Sequence, residues 1–231
     1  MLEKILTLKN KQNSLNEFCE NIRQGIPSAV FGVCDSFKNF LISILDEKVL
    51  YIVKDAMTAR LAIDEINELS GKKAIYLPPK DEILLMNKAF SKDNVYARIR
   101  ALLQIQSSNV IITTAEALMQ TASTKLYDIT LTKDQDISQT DLISNLVMMG
   151  YDRVDTVISQ GTFTVRGDII DVFPINQENP IRIDFFGDSV EAIKNYDAES
   201  RQNLGYVDKV SIIQAVEFVF NNDNFLNSFS I

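Results

Sequence analysis

The stretch Gly161–Arg201 reads GTFTVRGDIIDVFPINQENPIRIDFFGDSVEAIKNYDAESR, and its pattern decides the fold of this part of the chain. Two apolar runs, Asp168–Phe173 and Ile181–Phe186, flank a segment that contains prolines and asparagines. Pro and Asn form turns and do not easily continue a strand ladder, so we predict two strands joined by a loop. The pair Gly187-Asp188 suits a tight turn, which predicts a returning strand over Ser189–Lys194.

Alternation within the strand Ile181–Phe186 separates its two faces, because strand side chains have a period of two. The apolar face carries Ile181, Ile183 and Phe185. The other face carries Arg182, Asp184 and Phe186. The first face is predicted to be core. Two interpretations of the second stay open: Phe186 packs under a neighbouring loop, or the face binds a protein, because exposed Arg and aromatic residues are common interface anchors.

These residues also resemble a known protein family. The pattern RGDIIDVFP…IRIDFFGDSVEAIKNYD…SR, preceded by MGYDRVDTV at Met149–Val157, resembles the second domain of UvrB. It is still more similar to the matching domain near the N-terminus of bacterial transcription-repair coupling factors. The clear resemblance covers roughly residues 140–205, and a weaker one reaches back to about residue 76.

The resemblance implies a binding site for the damage-recognition protein UvrA. Three residues match the positions at which the family contacts UvrA: Arg166, Arg182 and Phe186. Two residues are weaker additions to this predicted site: Asp184 and Glu191. We expect Arg166 at the start of the strand that precedes Ile181–Phe186, close enough to join the other two if the strands pair.

Length and composition limit the class of protein. A chain of 231 residues holds one large or two modest domains. No apolar run approaches the ~20 residues that span a bilayer, and no signal peptide pattern is present, so we expect a cytoplasmic protein without a membrane partner. The chain has two cysteines and no histidine, which argues against a disulfide scaffold and against a zinc site. We expect no metal and no cofactor in this chain.

Charge is distributed unevenly. Residues 1–124 carry 15 Lys and Arg against 14 Asp and Glu, whereas residues 125–209 carry 8 against 15, a net charge of −7. A negative domain repels phosphate backbones, so residues 125–209 are predicted to bind protein rather than nucleic acid.

The N-terminal half alternates predicted strands and helices, which is typical of a parallel α/β sheet. Predicted strands are 28–33, 49–53, 73–77 and 110–113. Predicted helices are 13–24, 37–45, a helix capped by Asp55 and ended at Gly71, and one with Val95, Ile99, Leu102 and Leu103 on one face. We expect a degenerate P-loop or RecA-like parallel sheet domain.

The turn after the first predicted strand is the place to look for nucleotide binding. A P-loop reads GxxxxGK[ST], and the sequence here is GVCDSFKN. Gly32 and Lys38 are kept, but Phe37 stands where the second glycine belongs and Asn39 where the hydroxyl belongs. A Phe blocks the close approach of phosphate to the backbone, so we predict that this loop does not bind ATP. UvrB has an intact P-loop, whereas the N-terminal module of coupling factors is a degenerate copy of UvrB without a working nucleotide site. The resemblance therefore favours a coupling factor over UvrB.

A change of pattern near residue 125 marks a second domain. We predict residues 1–124 as a degenerate UvrB-like α/β domain and 125–209 as an inserted α+β domain similar to the second domain of UvrB. Residues 210–231 are predicted to return to the first sheet, with the run Lys209–Phe220 as its strand. We expect the chain to be a fragment of a longer protein.

Three functional hypotheses stay open. The first is a protein-binding, non-enzymatic module of a transcription-repair coupling factor that mimics UvrB and recruits UvrA to stalled RNA polymerase. Its parent would be an ATP-dependent DNA translocase that uses ATP and Mg and contacts RNA polymerase and DNA through other domains. The second is the nucleotide-binding part of a UvrB-like helicase. The third is an architectural domain with no partner.

Overall fold

The computed structural model describes residues 13–80 and 92–219. These residues form two compact units: 13–80 with 101–121, and 92–100 with 122–219. The second unit therefore takes in residues 92–100 and the residues after 209, both of which lie outside the predicted second domain 125–209.

The first unit is a parallel α/β sheet, as predicted. Its strands are β1 (Val49–Val53), β2 (Ala74–Leu77) and β3 (Val110–Thr114). The sheet order is β1-β3-β2, and both pairs are parallel. The helices are α1 (Asn13–Arg23), α2 (Asp35–Ile44), α3 (Ala56–Ser70) and α5 (Ala115–Leu118). Helix α4 (Lys92–Gln104) contributes its last four residues to this unit.

Helix α3 begins and ends where the sequence predicts. The Asp55 side chain accepts a hydrogen bond from the Thr58 backbone N–H at 2.8 Å, which satisfies one of the free donors at the helix start. Gly71 ends the helix with a φ of 64°, a left-handed conformation that glycine adopts without strain. A stripe of buried residues on α3 packs against the sheet in one cluster: Ala59, Ala62, Ile66, Val110 and Ile112.

The predicted buried strand over residues 28–33 is wrong. The segment has no strand structure and is exposed, with Phe31 88% exposed. Pro27 has no backbone N–H to donate, and Gly32 has a left-handed φ of 71°, so the backbone on either side of the run does not continue an extended strand. The sheet formed by the described residues consequently has three strands and ends at β1.

The second unit contains a six-stranded sheet. Its strands are β5 (Asp152–Arg153), β6 (Thr162–Arg166), β7 (Ile169–Phe173), β8 (Ile181–Phe186), β9 (Ser189–Tyr196) and β10 (Asn203–Tyr206). Their order is β10-β9-β8-β7-β6-β5, with antiparallel pairs from β6 to β10. Helix α6 (Gln139–Met148) and a two-stranded sheet of β4 (Asp128–Thr132) and β11 (Lys209–Ile213) complete the unit.

The predicted core face of β8 is confirmed. Ile181 and Ile183 are fully buried and Phe185 is 4% exposed. They belong to a cluster that includes residues of β6, β7, β9, α4, α6 and both strands of the small sheet. We call this side of the six-stranded sheet its inner face and the opposite side its outer face.

A β-bulge interrupts the pairing of β8 with β9. Asp184 lies opposite Ala192, but Phe185 lies opposite Val190, so Glu191 is an extra residue without a partner across the ladder. Val190 is buried and Ala192 half-buried although they are two positions apart. The bulge therefore preserves the alternation of β8 while shifting the register of β9.

The predicted return of Lys209–Phe220 to the first sheet is wrong. β11 pairs antiparallel with β4, from Lys209 opposite Thr132 to Ile213 opposite Asp128. Val210 and Ile212 pack into the core of the second unit with Leu131. Both strands are only five residues long, and sequence alone does not show which sheet such a strand joins. Residues 220–231 lie outside the described part of the chain.

A buried ion pair links distant segments of the second unit. The Arg98 Nε donates to Glu217 Oε2 at 3.0 Å, and the Ser123 backbone N–H donates to the other carboxylate oxygen at 3.3 Å. The side chains are 2% and 8% exposed. The predicted apolar face of α4 is partly wrong, because Leu103 is 41% exposed while Arg98 is buried.

Gly161→Ala is expected to destabilise the second unit more than Gly167→Ala. Both glycines have left-handed φ angles, 75° and 59°, so an alanine costs about 1–2 kcal/mol at either site. A Cβ at Gly161 would also lie 2.0 Å from the Tyr96 Oη, whereas nothing lies within 4 Å at Gly167. We expect an additional ~1–3 kcal/mol for overpacking in Gly161→Ala. Urea unfolding followed by circular dichroism measures both; equal losses would contradict the steric part.

Candidate protein-interaction site

The outer face brings together the residues predicted to contact a partner. Arg166 lies opposite Ile169 across β6 and β7, and Ile169 lies opposite Asp184 across β7 and β8. Residues opposite each other in a ladder point to the same face, so Arg166 shares the outer face with Arg182 and Asp184. The predicted position of Arg166 is corrected: it ends β6, two strands away from β8, rather than starting the neighbouring strand.

Phe186 is an exposed aromatic residue on this face. It ends β8 opposite Ser189 and is 80% exposed, next to Phe185 at 4%. Gly187, with a φ of 62°, turns the chain immediately after it. The interpretation that Phe186 packs under a neighbouring loop is therefore wrong, and a large aromatic ring stands in solvent beside polar groups.

Arg182 is held by the protein itself. Its Nε and Nη2 donate to the two carboxylate oxygens of Asp171 at 2.6 and 2.9 Å, across the β7–β8 pair. The Asp171 hydrogen bonds raise the pKa of Arg182, and Asp171 is only 1% exposed. Asp171 therefore already occupies the planar fork of donors that Arg182 would offer to a carboxylate of a partner.

Asp184 and Glu191 differ in their surroundings. Lys194 donates to Asp184 Oδ2 at 2.6 Å, and both side chains are mostly buried. The other oxygen, Asp184 Oδ1, is buried with no hydrogen-bond partner among the described residues. Glu191 is the exposed extra residue of the β-bulge.

Two further residues, Tyr196 and Arg201, lie with Arg182 on the outer face and were not predicted from the sequence. The guanidinium carbons of Arg182 and Arg201 lie 5.2 and 5.6 Å from the Tyr196 ring centroid. Burial raises the pKa of Tyr196 to about 12, and the charge of Asp171 acts in the same direction, while Arg201, Arg182 and Arg166 act in the opposite one. Two arginines therefore lie against the Tyr196 ring, and the charge of Arg166 also acts on its hydroxyl. The sequence did contain a signal for Tyr196. If the predicted strand is extended by two residues beyond Lys194, its period-two alternation places Tyr196 on the same face as Lys194.

Arg166 makes no bond to a carboxylate among the described residues. Its Nη2 donates to the Asp155 backbone oxygen at 2.7 Å, and the bond is exposed. A carbonyl oxygen neutralises no charge, so Arg166 remains an uncompensated cation at the surface.

The predicted nucleotide loop lies in a different context from a P-loop. Phe37, Lys38 and Asn39 all lie within helix α2, and no strand precedes it in residues 13–34. The Lys38 Nζ donates to Asp35 at 2.8 Å, and the Asn39 Nδ2 donates to Glu65 at 2.7 Å. Gly32 has a φ of 71° in the exposed segment before the helix.

Metal ligands do not cluster in the described ranges 13–80 and 92–219: no group of three or more His, Cys, Asp or Glu is placed to hold an ion. Nor does any helix within the part of the chain that the structure describes have the length and apolar character needed to cross a membrane.

Comparison with known proteins gives one family match and several similar proteins. Residues 129–218 match the family model of the UvrB interaction domain. The transcription-repair-coupling factor of Escherichia coli is 27% identical over 176 residues, which cover 74% of this chain and 15% of that protein. The Bacillus subtilis protein of the same name is 24% identical over 213 residues, which cover 89% of this chain and 18% of that protein.

UvrB proteins are also similar to this chain. The UvrABC system protein B of Thermotoga neapolitana is 30% identical over 149 residues, which cover 62% of this chain and 22% of that protein. This chain thus spans less than a quarter of the length of each of these curated relatives. The resemblance predicted from the sequence, to UvrB and to transcription-repair coupling factors, is confirmed.

Proposed function

We propose that this chain is a protein-binding module of a transcription-repair coupling factor, which mimics UvrB and recruits UvrA in transcription-coupled nucleotide excision repair. The observation that carries the proposal is the exposure of Phe186, at 80%, on the outer face of a domain that matches the UvrB interaction domain. An aromatic side chain that shares a sheet face with arginines has the composition of an interface anchor.

The polar surroundings of Phe186 fit the same role. Arg166 and the Asp171–Arg182 pair lie on the same face. Arginine and aromatic residues are enriched at the centres of interfaces. Asp184 and Glu191 lie near the Phe186 turn and belong to the proposed contact surface, with Asp184 held by Lys194.

The parent protein is proposed to be an ATP-dependent DNA translocase. ATP, Mg, RNA polymerase and DNA would be bound by other parts of it. The matches to coupling factors and to UvrB support a repair role for the parent, and the divergent residues Phe37 and Asn39 favour the coupling factor.

Mg-ATP is expected not to bind at Gly32–Asn39. Phe37 and Asn39 replace the second glycine and the hydroxyl of a P-loop, and the Lys38 ammonium is already paired with Asp35. Isothermal titration calorimetry of the chain with Mg-ATP and Mg-ADP measures this. Micromolar affinity would revive the hypothesis of a UvrB-like nucleotide-binding unit, and loss of that affinity in Lys38→Ala would place the nucleotide at this loop.

The direct test of the proposed function is binding of this chain to purified UvrA. We expect a complex in analytical ultracentrifugation or biolayer interferometry. The UvrB interaction domain of UvrB should compete with it, since both would use the same surface of UvrA. A chain that does not bind UvrA at tens of micromolar would refute recruitment and leave an architectural domain.

A further inference from the structure

Half of the basic side chains of residues 125–209 lie together on the outer face. This segment has 8 Lys and Arg against 15 Asp and Glu. Strand register and ring contacts place four of the eight in one cluster: Arg166, Arg182, Lys194 and Arg201. A strongly acidic domain therefore carries a basic cluster on the same sheet face as its exposed Phe186, and such a local reversal of sign selects a partner of opposite charge.

Two of these cations are neutralised within the domain. Arg182 is paired with Asp171, and Lys194 is paired with Asp184, both at 2.6 Å. A pair that is already bonded and partly buried offers little net charge to a partner. These two ion pairs instead fix the positions of their side chains on the outer face.

The other two cations have no carboxylate partner within 4 Å among the described residues. Arg166 is bonded to a backbone oxygen, and Arg201 lies over the Tyr196 ring. Asp197 is the acidic residue in the same turn as Arg201. Its carboxylate accepts instead from the N–H groups of Glu199 and Ser200 and from the Ser200 hydroxyl.

The turn that carries Arg201 is ordered by hydrogen bonds. Arg201 has a left-handed φ of 61°, its N–H donates to the Asp197 oxygen at 2.9 Å, and the Asp197 N–H donates to the Gln202 oxygen at 2.9 Å. The Arg201 guanidinium also makes a cation–π contact with the Tyr196 ring. A side chain held in place before binding loses less entropy when a partner docks, so Arg201 is well placed as a contact residue.

We propose that Arg201 is a further contact residue of this site and that the partner presents an acidic surface, whose carboxylates are bound by Arg201 and Arg166 on the same face as the Phe186 anchor. This inference rests on the proposed function, because it takes UvrA as the protein that carries this surface. A nucleic acid fits less well, since two uncompensated cations on a domain of net charge −7 release few counterions.

The test compares UvrA affinity of the full chain and three variants at several salt concentrations. Arg201→Gln removes the charge, and we expect about tenfold weaker binding with a shallower salt dependence. Arg201→Lys keeps the charge but not the planar fork, so an intermediate affinity is expected. Arg153→Gln is the matched control, because Arg153 lies exposed on the edge strand β5, outside the cluster, and we expect no change beyond twofold.

The outcomes separate this inference from the proposed function. If Arg201→Gln binds UvrA like the unchanged protein while Phe186→Ala binds weakly, recruitment stands and the role of Arg201 is refuted. If Arg201→Gln weakens UvrA binding no more than Arg153→Gln does, the weaker binding reflects the net charge of the chain rather than a contact made by Arg201, and the inference also fails. If the unchanged chain does not bind UvrA, both fail. If Arg201→Gln instead abolishes submicromolar binding to duplex DNA, the partner is a nucleic acid and the acidic-protein inference is overturned.

Discussion

Phe186→Ala is expected to weaken binding to UvrA about thirtyfold, which corresponds to a loss of ~2 kcal/mol for an aromatic anchor. The ring is 80% exposed in the free chain, so its removal takes away little of the folded structure. The melting temperature is therefore expected to stay within a degree or two of that of the unchanged protein. Biolayer interferometry with immobilised UvrA gives the affinity, and circular dichroism gives the thermal transition.

The neighbouring residue provides a matched control of the same type. Phe185→Ala removes a ring that is 4% exposed on the inner face, and we expect it to lower the free energy of unfolding by ~3–5 kcal/mol. Val147→Ala is a second control, because it truncates an exposed apolar side chain that is not on the outer face. Val147 is 58% exposed on helix α6, and the buried residues of that helix, Leu142 and Leu146, pack on the inner face. Normal UvrA binding by Phe186→Ala, or unfolding as severe as in Phe185→Ala, would refute the outer-face site.

Glu217→Gln is expected to lower the free energy of unfolding of the second unit by ~3–5 kcal/mol. Glu217 is 8% exposed and accepts hydrogen bonds from Arg98 and from the Ser123 N–H. The substitution keeps the shape of the side chain and one acceptor but removes the carboxylate charge that is paired with the buried Arg98 guanidinium. Hydrogen exchange measured by mass spectrometry on peptides from β6–β9 follows the stability of this unit separately from the first.

An exposed pair on the same helix is the control for Glu217→Gln. Lys92 at the start of α4 is paired with Asp152, and the side chains are 53% and 56% exposed. Asp152→Asn is expected to cost at most ~1 kcal/mol, because water screens such a pair. The double variant Arg98→Met/Glu217→Gln removes both buried charges and should recover most of the loss. Equal effects of Glu217→Gln and Asp152→Asn would show that the buried pair is not a stabilising link.

Local pattern in the sequence was sufficient to predict the features that depend on neighbouring residues. The faces of β8 follow from period-two alternation, and the start and end of α3 follow from the Asp55 cap and Gly71. Each of these features needs only residues within one turn or one strand. The same reasoning placed Phe186 on the surface side of β8, where it is exposed.

Features that depend on distant partners could not be read from the pattern. Arg98 and Glu217 are 119 positions apart, and nothing near either residue marks it as half of a buried pair. The engagement of Arg182 depends on the register that sets it opposite Asp171. The run 28–33 has the composition of a buried strand, but a strand forms only where another offers free backbone groups, and no described strand pairs with it.

The β-bulge at Glu191 has a consequence for how this hairpin tolerates changes in length. Deleting Glu191 would leave Val190 and Ala192 adjacent, still opposite Phe185 and Asp184, so every other side chain would stay on its present face. Deleting a neighbouring β9 residue within the regular ladder, such as Ile193, would instead reverse the faces of the residues beyond it. Within β9, position 191 is thus where a one-residue deletion would leave the faces of the remaining side chains unchanged. Because bulges increase local twist, such a deletion would change the angle at which the hairpin tip projects and would remove one exposed carboxylate from the proposed contact surface.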